Sequence, residues 1–270
     1  MIQPDIELAR RLEQSISLAP DSNASATESI YCGSFRAWFT AYTNNRELNY
    51  AMPVAPIAAA AMRVEVEGLR SVFTARHRTV RVEFVEELWP GLRDALEHVG
   101  LHLAAAEPLM ACTRTEFQSS TAPGVQMRAL SVADDDADLA AFTQIRDARP
   151  LDGSRPASAR AVAELRALLQ TRTEVCALAC VDGVPAASGR CLLQRDSLGE
   201  LTSIVTRPQF RRRGVAATMV SFLIRELIDT GRTIAWLNAA NDEARSVYAR
   251  LGFRSIGRLL NYEEGHASEV

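Results

Sequence analysis

The sequence predicts an α/β fold, a mixed and mostly antiparallel sheet with helices on its faces, and three observations predict it. The second half of the chain alternates short β-type runs with helix-period segments in the order strand, two helices, three strands, helix, strand, helix, strand. Turn signals fall between these segments: Asp182-Gly183 separates two apolar runs, and Gly252 closes the last helix. The 270 residues are 47% hydrophobic, enough to fill a core of one large or two small domains.

In the first half, residues 4–19 carry helical spacing, and "PDSNASATES" after them reads as a polar link. Three strand candidates follow: "SIYCGSFRAWFTAY", "ELNYAMPV" and "RTVRVEFV". A helix is predicted over residues 57–75, between the last two strands, and another in "WPGLRDALEHVG", which opens near a proline and stops at a glycine. Residues 114–124, "RTEFQSSTAPG", are small, polar and aperiodic. They are the predicted boundary between a domain at 1–120 and a domain at 125–270.

In the second half, "VQMRALSV" is a strand, and "DDDADLAAFTQIRDA" is a helix whose aspartates suit the positive end of its dipole. "SARAVAELRALLQ" is a second helix, and "EVCALACVDGVPAASGRCLLQ" is a hairpin turning at Asp182-Gly183. "ELTSIVT" is a strand, residues 213–229 a helix, "RTIAWLN" a strand, "NDEARSVYARLG" a helix, and "FRSIGRLL" the final strand.

Composition narrows the function. A formal net charge of -3 argues against a general nucleic-acid or membrane-surface binder, so the arginines are to be read locally. Every basic residue other than histidine is arginine, which removes side-chain amines as internal targets of amine chemistry. The start lacks a basic segment followed by an apolar signal core, and no run reaches the length of a membrane span, so a cytoplasmic protein is expected. Cys32, Cys112, Cys176, Cys180 and Cys191 contain no CxxC pair, and with four scattered histidines they predict neither a disulfide framework nor a metal site.

"RRRGVA", Arg211 to Ala216, stands between a predicted strand and a predicted helix. Unpaired N–H groups point out of a helix start, Gly214 admits a ligand close to the backbone, and Ala216 keeps the next turn small, so a pyrophosphate can rest on the amides among arginines. Taken alone, the stretch reads equally as a solvated charge cluster. Neither GxxxxGK[ST] nor a GxGxxG after a strand is present, which disfavours nucleotide hydrolysis and nicotinamide chemistry.

Arg211-x-x-Gly214-x-Ala216 resembles the R/Q-x-x-G-x-G/A motif of the GCN5-related N-acetyltransferase (GNAT) superfamily. "TRPQFRRRGVA" is similar to the family's strand-to-helix segment, and "LNAANDEARSVYARLGF" to its N-x-x-A-x-x-x-Y-x-x-x-G-F half, over about residues 125 to 265. The resemblance implies a GNAT fold and direct transfer of an acetyl group from acetyl-CoA to an amine, with no metal and no covalent enzyme intermediate. It places the cofactor on Val205, Thr206, Arg211, Arg212, Arg213, Gly214, Val215, Ala216 and Asn241. Val205 and Thr206 pair with the pantetheine arm as an added strand, and a freed amide polarises the thioester carbonyl. Asn241 contacts coenzyme A or, alternatively, caps the following helix. Tyr248 stands where the family often has the acid that protonates the leaving thiolate, and a phenol at about 10 is protonated at neutral pH. Its other reading is an aromatic packed beside Leu251 and Phe253. Glu200 is the base candidate, against an ordinary carboxylate at a strand start.

Laid under the second half, the first half looks like a degenerate copy. "ELNYAMPV" aligns with "ELTSIVTR", "APIAAAA" stands where the arginine loop would be, and Leu96 stands where Tyr248 does. A tandem member with a partial, inactive first half is the implied organisation. The acceptor, a small-molecule or peptide amine, is left open by "RDARPLDGSRP", whose Arg146, Asp147, Arg149, Asp152 and Arg155 suit a polar or carboxylate-bearing amine or form a solvated loop. No nucleic-acid or membrane partner is expected, and the protein is a monomer or a homodimer. A non-catalytic acyl-CoA-binding regulatory module is the alternative to an enzyme.

Overall fold

The computed structural model describes residues 5–18, 27–41, 45–147 and 156–265. Its elements begin with α1 (Ile6–Leu18), β1 (Thr27–Cys32), β2 (Phe35–Thr40), β3 (Tyr50–Pro53), α2 (Met62–Thr74), β4 (Arg81–Val85), α3 (Leu92–His98) and β5 (Leu101–Thr113). There follow β6 (Val125–Ala129), α4 (Asp136–Arg146), α5 (Ala159–Thr171), β7 (Glu174–Val181), β8 (Val184–Leu193), β9 (Leu198–Thr206), α6 (Val215–Asp229), β10 (Ile234–Asn238), α7 (Asp242–Arg250) and β11 (Arg254–Glu264). They form two compact units, Met1–Leu109 with Ser255–Val270, and Met110–Arg254.

In the first unit β1 and β2 form an antiparallel hairpin, β2 pairs antiparallel with β3, and β4 pairs antiparallel with β11 from Leu259↔Val85 to Glu263↔Arg81. The parallel pair β3 and β4 registers at Ala51↔Val82. Helix α2 lays Met62, Val66, Leu69 and Phe73 on one stripe, at the spacing that buries a single helix face, against Phe35, Phe84 and Tyr262. Burial pushes the Glu13 carboxyl up despite hydrogen bonds from the Val85 N–H (2.8 Å) and Trp89 Nε1 (2.9 Å).

In the second unit β6, β7, β8 and β9 are antiparallel neighbours, and β10 runs parallel to β9. The β7–β8 hairpin turns at Asp182 (φ 51) and Gly183 (φ 75), the two left-handed residues that a tight hairpin of matching twist requires. One face of this sheet packs on α6 through Met219, Leu223 and Leu227, which meet Cys191, Leu201 and Ala235. The other face packs on α4 and α5 through Leu139, Phe142, Ile145 and Leu165, which meet Cys176 and Leu178. All ten predicted elements of this half are present in the predicted order.

Four expectations change. "SIYCGSFRAWFTAY" holds parts of two strands, because the chain reverses after Cys32 at Gly33 (φ 57). The helix expected from residue 57 begins at Met62, after a short 3-10 turn at Ala59–Ala61. Strand β5 was not anticipated: "LHLAAAEPLMACT" is alanine-rich and contains a proline, so local propensity does not announce it. The division at 120/125 also differs from the observed one. The chain enters the second unit at Met110, within β5, and β11 belongs to the first unit, where it pairs with β4 and Tyr262 fills the core. Residues 114–124 are no free link, since Ser120 and Ala122 donate their N–H groups to Ser221 Oγ (3.0 Å) and Thr218 Oγ1 (2.9 Å) of α6.

Candidate functional site

The site arises where β9 departs from regular pairing. Its register with β8 passes from Arg190↔Thr202 to Ser188↔Val205, so one strand advances two residues while the other advances three. The surplus residue is a bulge at Ser203, whose φ of 53 bends the strand. On the other edge, pairing with β10 runs from Ile234↔Leu198 to Trp236↔Glu200. Beyond those pairs the end of β9 faces a cleft of about 720 Å³, lined by Ile204, Val205 and Thr206. Thr206 Oγ1 is buried there with no hydrogen-bond partner among the described residues.

The chain then passes through a 3-10 turn, Pro208–Phe210, into α6. Gly214 is the N-cap of α6 in the left-handed region (φ 77), with no side chain over the first turn. The N–H groups that begin an α-helix have no carbonyl one turn back, and here the cleft wall is built of Gly214, Val215, Ala216 and Ala217. Arg211 Nε donates to the Thr206 carbonyl (3.2 Å), which ties the loop to the strand end. Arg212 lies 3.6 Å from Glu243, and both are exposed. The arrangement has the parts that can hold an anion: backbone donors, the positive end of a 15-residue helix, and two arginines in the lining.

The opposite wall is α7. Asn241 lines the cleft, and its Oδ1 accepts the Ala244 N–H (2.9 Å) as the N-cap of that helix, so only the amide NH2 remains to reach a ligand. Tyr248 also lines the cleft and packs its ring 5.9 Å from that of Phe253. Burial pushes its phenol up to about 12. Each alternative stated for these two residues, cap and packing aromatic, therefore coexists with a place in the cleft.

Two expected residues lie elsewhere. Arg213 is not part of the cleft lining, and its guanidinium sits 5.7 Å above the Phe210 ring. Glu200 is in the paired stretch of β9, also outside the lining. It accepts from Gln194 Nε2 (3.1 Å), whose own Oε1 accepts from Trp236 Nε1 (2.8 Å). Side chains alternate along a strand, so Leu201 in the α6-side core puts Glu200 on the α4–α5 face. The sequence reading missed Ile204, Phe210, Ala217, Glu243, Ala244, Ser246, Val247 and Arg250 in the lining. The helical spacing of Ala244 and Val247 from Tyr248 was the signal that could have found these two.

The first unit repeats the order antiparallel pair, strand, helix, strand, helix, without that arrangement. The N-cap of α2 is Ala61 in the right-handed region, and its first turn holds Glu65, which accepts from Ser34 N–H (2.8 Å) and Oγ (3.1 Å). A carboxylate already occupies the anion-attracting end of that helix. Leu96, the counterpart of Tyr248, is fully buried in the core.

No described helix is long and apolar enough to cross a membrane, and no group of metal-binding side chains is found among the described residues. Residues 182–262 match the family model described as FR47-like protein. No curated protein matches the chain. Among solved structures, a GCN5-related N-acetyltransferase from Kribbella flavida superposes with a TM-score of 0.77 at 21% identity, over 97% of this chain and 98% of that one. A GCN5-related N-acetyltransferase from Sphaerobacter thermophilus gives 0.63 at 16% identity, over 95% and 91%. A tandem GNAT protein from the clavulanic acid biosynthesis pathway gives 0.57 at 13% identity, over 90% and 85%. Along the whole chain the protein has the fold of these GCN5-related N-acetyltransferases, and residues 182–262 are similar to the FR47-like family.

Proposed function

We propose that the protein is an N-acetyltransferase that moves an acetyl group from acetyl-CoA directly to the amine of a small molecule or peptide, in the cytoplasm. One observation carries this reading: a bulged strand end that leaves its edge facing a cleft and runs straight into a left-handed glycine at the start of a long helix.

Acetyl-CoA, once bound, supplies the activated thioester. The first amides of α6 hold its pyrophosphate, with Arg211 and Arg212 at the rim. The edge of Ile204–Thr206 pairs with the pantetheine amides, and an N–H of the same segment donates to the carbonyl oxygen as charge develops there. Tyr248 donates a hydrogen bond to the leaving sulfur. With the phenol at about 12 and a thiol near 8.5, full proton transfer to sulfur is uphill by ~3.5 pK units, roughly 5 kcal/mol. Tyr248 therefore stabilises the thiolate by hydrogen bonding, and the proton that ends on sulfur originates on the amine. Glu200, on the α4–α5 face, fits a base for the proton an ammonium loses before attack better than a contact to coenzyme A.

The test is calorimetric titration with CoA and acetyl-CoA, followed by thiol release across an amine panel. Micromolar binding with turnover supports the enzyme. Binding without turnover on any amine supports the acyl-CoA-binding regulatory module, and no binding of either ligand overturns both.

A further inference from the structure

The sheet face turned away from α6 carries a row of polar groups that the proposed chemistry of the cleft does not use. Ser188 on β8 is fully buried, and its Oγ has no partner among the described residues. Asn238, two residues past Trp236 on β10 and on the same face, has a buried Oδ1 without a partner. Between them β9 presents Thr202, opposite Arg190, and Val205, opposite Ser188. The register of Trp236 with Glu200, carried on by two residues, sets Asn238 beside Thr202, and Val205 is the member of the row that lines the cleft.

Arg207 continues this row one step beyond Val205. Its Nη2 donates to Gln144 Oε1 of α4 (3.0 Å), and its Nε is buried with no partner. No carboxylate pairs with this guanidinium among the described residues. The contrast with Arg190 on the same face is sharp: Arg190 is clamped by the buried Glu174 carboxylate through two hydrogen bonds, one of them 2.8 Å. Arg207 is half-buried, and a buried Nε–H left unmade is costly. Asn238 Oδ1, an acceptor only, calls for a donor. A cation without an anion and an acceptor without a donor, on one face beside one opening, describe the two ends of a ligand.

We infer that this face is the acceptor subsite and that it takes an amine carrying a carboxylate, with the carboxylate against Arg207 and the amine against Asn238. This rests on the acetyltransferase reading. The amine nitrogen, held at Asn238, forms its bond to the acetyl carbon while the carbon–sulfur bond breaks. The electron pair leaves on sulfur, and one amine proton passes to it, giving an N-acetyl amino acid and the free thiol.

The experiment measures kcat/KM for the proteinogenic amino acids and for their carboxamides, with wild type, Arg207→Gln and Arg207→Lys. The expected result is at least a ten-fold preference for the carboxylate form, about 1.4 kcal/mol. In Arg207→Gln the ratio falls to about one through a raised amino-acid KM, and in Arg207→Lys it is partly restored, since charge but not fork geometry is kept. CoA affinity, read on each variant, reports that the cleft is folded. The same panel is titrated calorimetrically into CoA-saturated protein, so a chain without turnover still gives an answer. Equal use of acids and amides, a preference that survives Arg207→Gln, or no binding by any amino acid overturns the inference. Turnover on amides alone leaves the acetyltransferase reading standing, whereas loss of all CoA binding in wild type ends both.

Discussion

Gly214 is the position at which the anion cradle can be tested by a single atom. It sits at φ 77, and a Cβ built there meets the Cβ of Ala122 at 2.9 Å. Gly214→Ala therefore carries the left-handed penalty, about 1–2 kcal/mol, and a contact tighter than carbon atoms accept. The turn relieves both by rotating toward right-handed geometry, which turns the amides of Val215 and Ala216 away from the cleft. Gly231 is the matched control, because it has φ 84 and nothing within 4 Å of its built Cβ. Gly231→Ala pays the backbone penalty without touching the cradle. Gly214→Glu adds a carboxylate at roughly 5 Å from a bound phosphate, and at an effective dielectric of ~20 one such pair costs roughly 3 kcal/mol. The expected order by calorimetry with CoA is wild type equal to Gly231→Ala, then Gly214→Ala weaker by at least ten-fold, then Gly214→Glu weaker by more than about 100-fold. Melting temperatures of both alanine variants fall, that of Gly214→Ala by more because of the added contact with Ala122. Wild-type CoA affinity in Gly214→Glu, or an equal loss in Gly231→Ala, refutes the assignment of the phosphate site to this turn.

Other expectations follow from the same geometry. Tyr248→Phe lowers kcat by about 10- to 100-fold with acetyl-CoA KM nearly unchanged, and undiminished turnover removes the residue from the mechanism. Because burial raises the Tyr248 phenol to about 12, it stays protonated up to that pH. The unfolded chain gives up this proton near pH 10, so the stability it supports is complete below about 10 and is lost between about 10 and 12. A kcat profile from pH 6 to about 9 should show no basic limb owed to Tyr248, and a limb that vanishes in Tyr248→Phe contradicts this. Thiol labelling of the native protein should reach Cys32 and Cys180, which are half-buried, before Cys112 and Cys176, whose thiols burial pushes up to about 12. Rapid modification of Cys176 in the native state would count against the described core. A fragment of residues 125–270 lacks Met110 and Cys112, which fill the second core, and lacks β4, the partner of β11. It should show no cooperative unfolding by circular dichroism, and a cooperative transition with CoA binding would show that the observed partition of the chain is wrong.

What the sequence determined by itself was local and periodic. Turn chemistry at Asp182-Gly183, the stop at Gly252 and the spacing of apolar residues in α4 to α7 depend on neighbours within a few positions, and the structure has those elements in that order. The glycine turn that opens α6 was legible for the same reason, since Gly214 sets the backbone of that one turn. Tertiary structure decided whatever depends on which strand lies beside which. Strand β5 forms although its alanines do not favour it. The bulge at Ser203 is visible only as a mismatch with β8, and Glu200 lies outside the cleft lining because it falls in the stretch of β9 still paired with β10. The unmatched Arg207 is invisible in a run of many arginines, because whether a charge has a partner is settled by the folded neighbours around it and not by its neighbours in the chain.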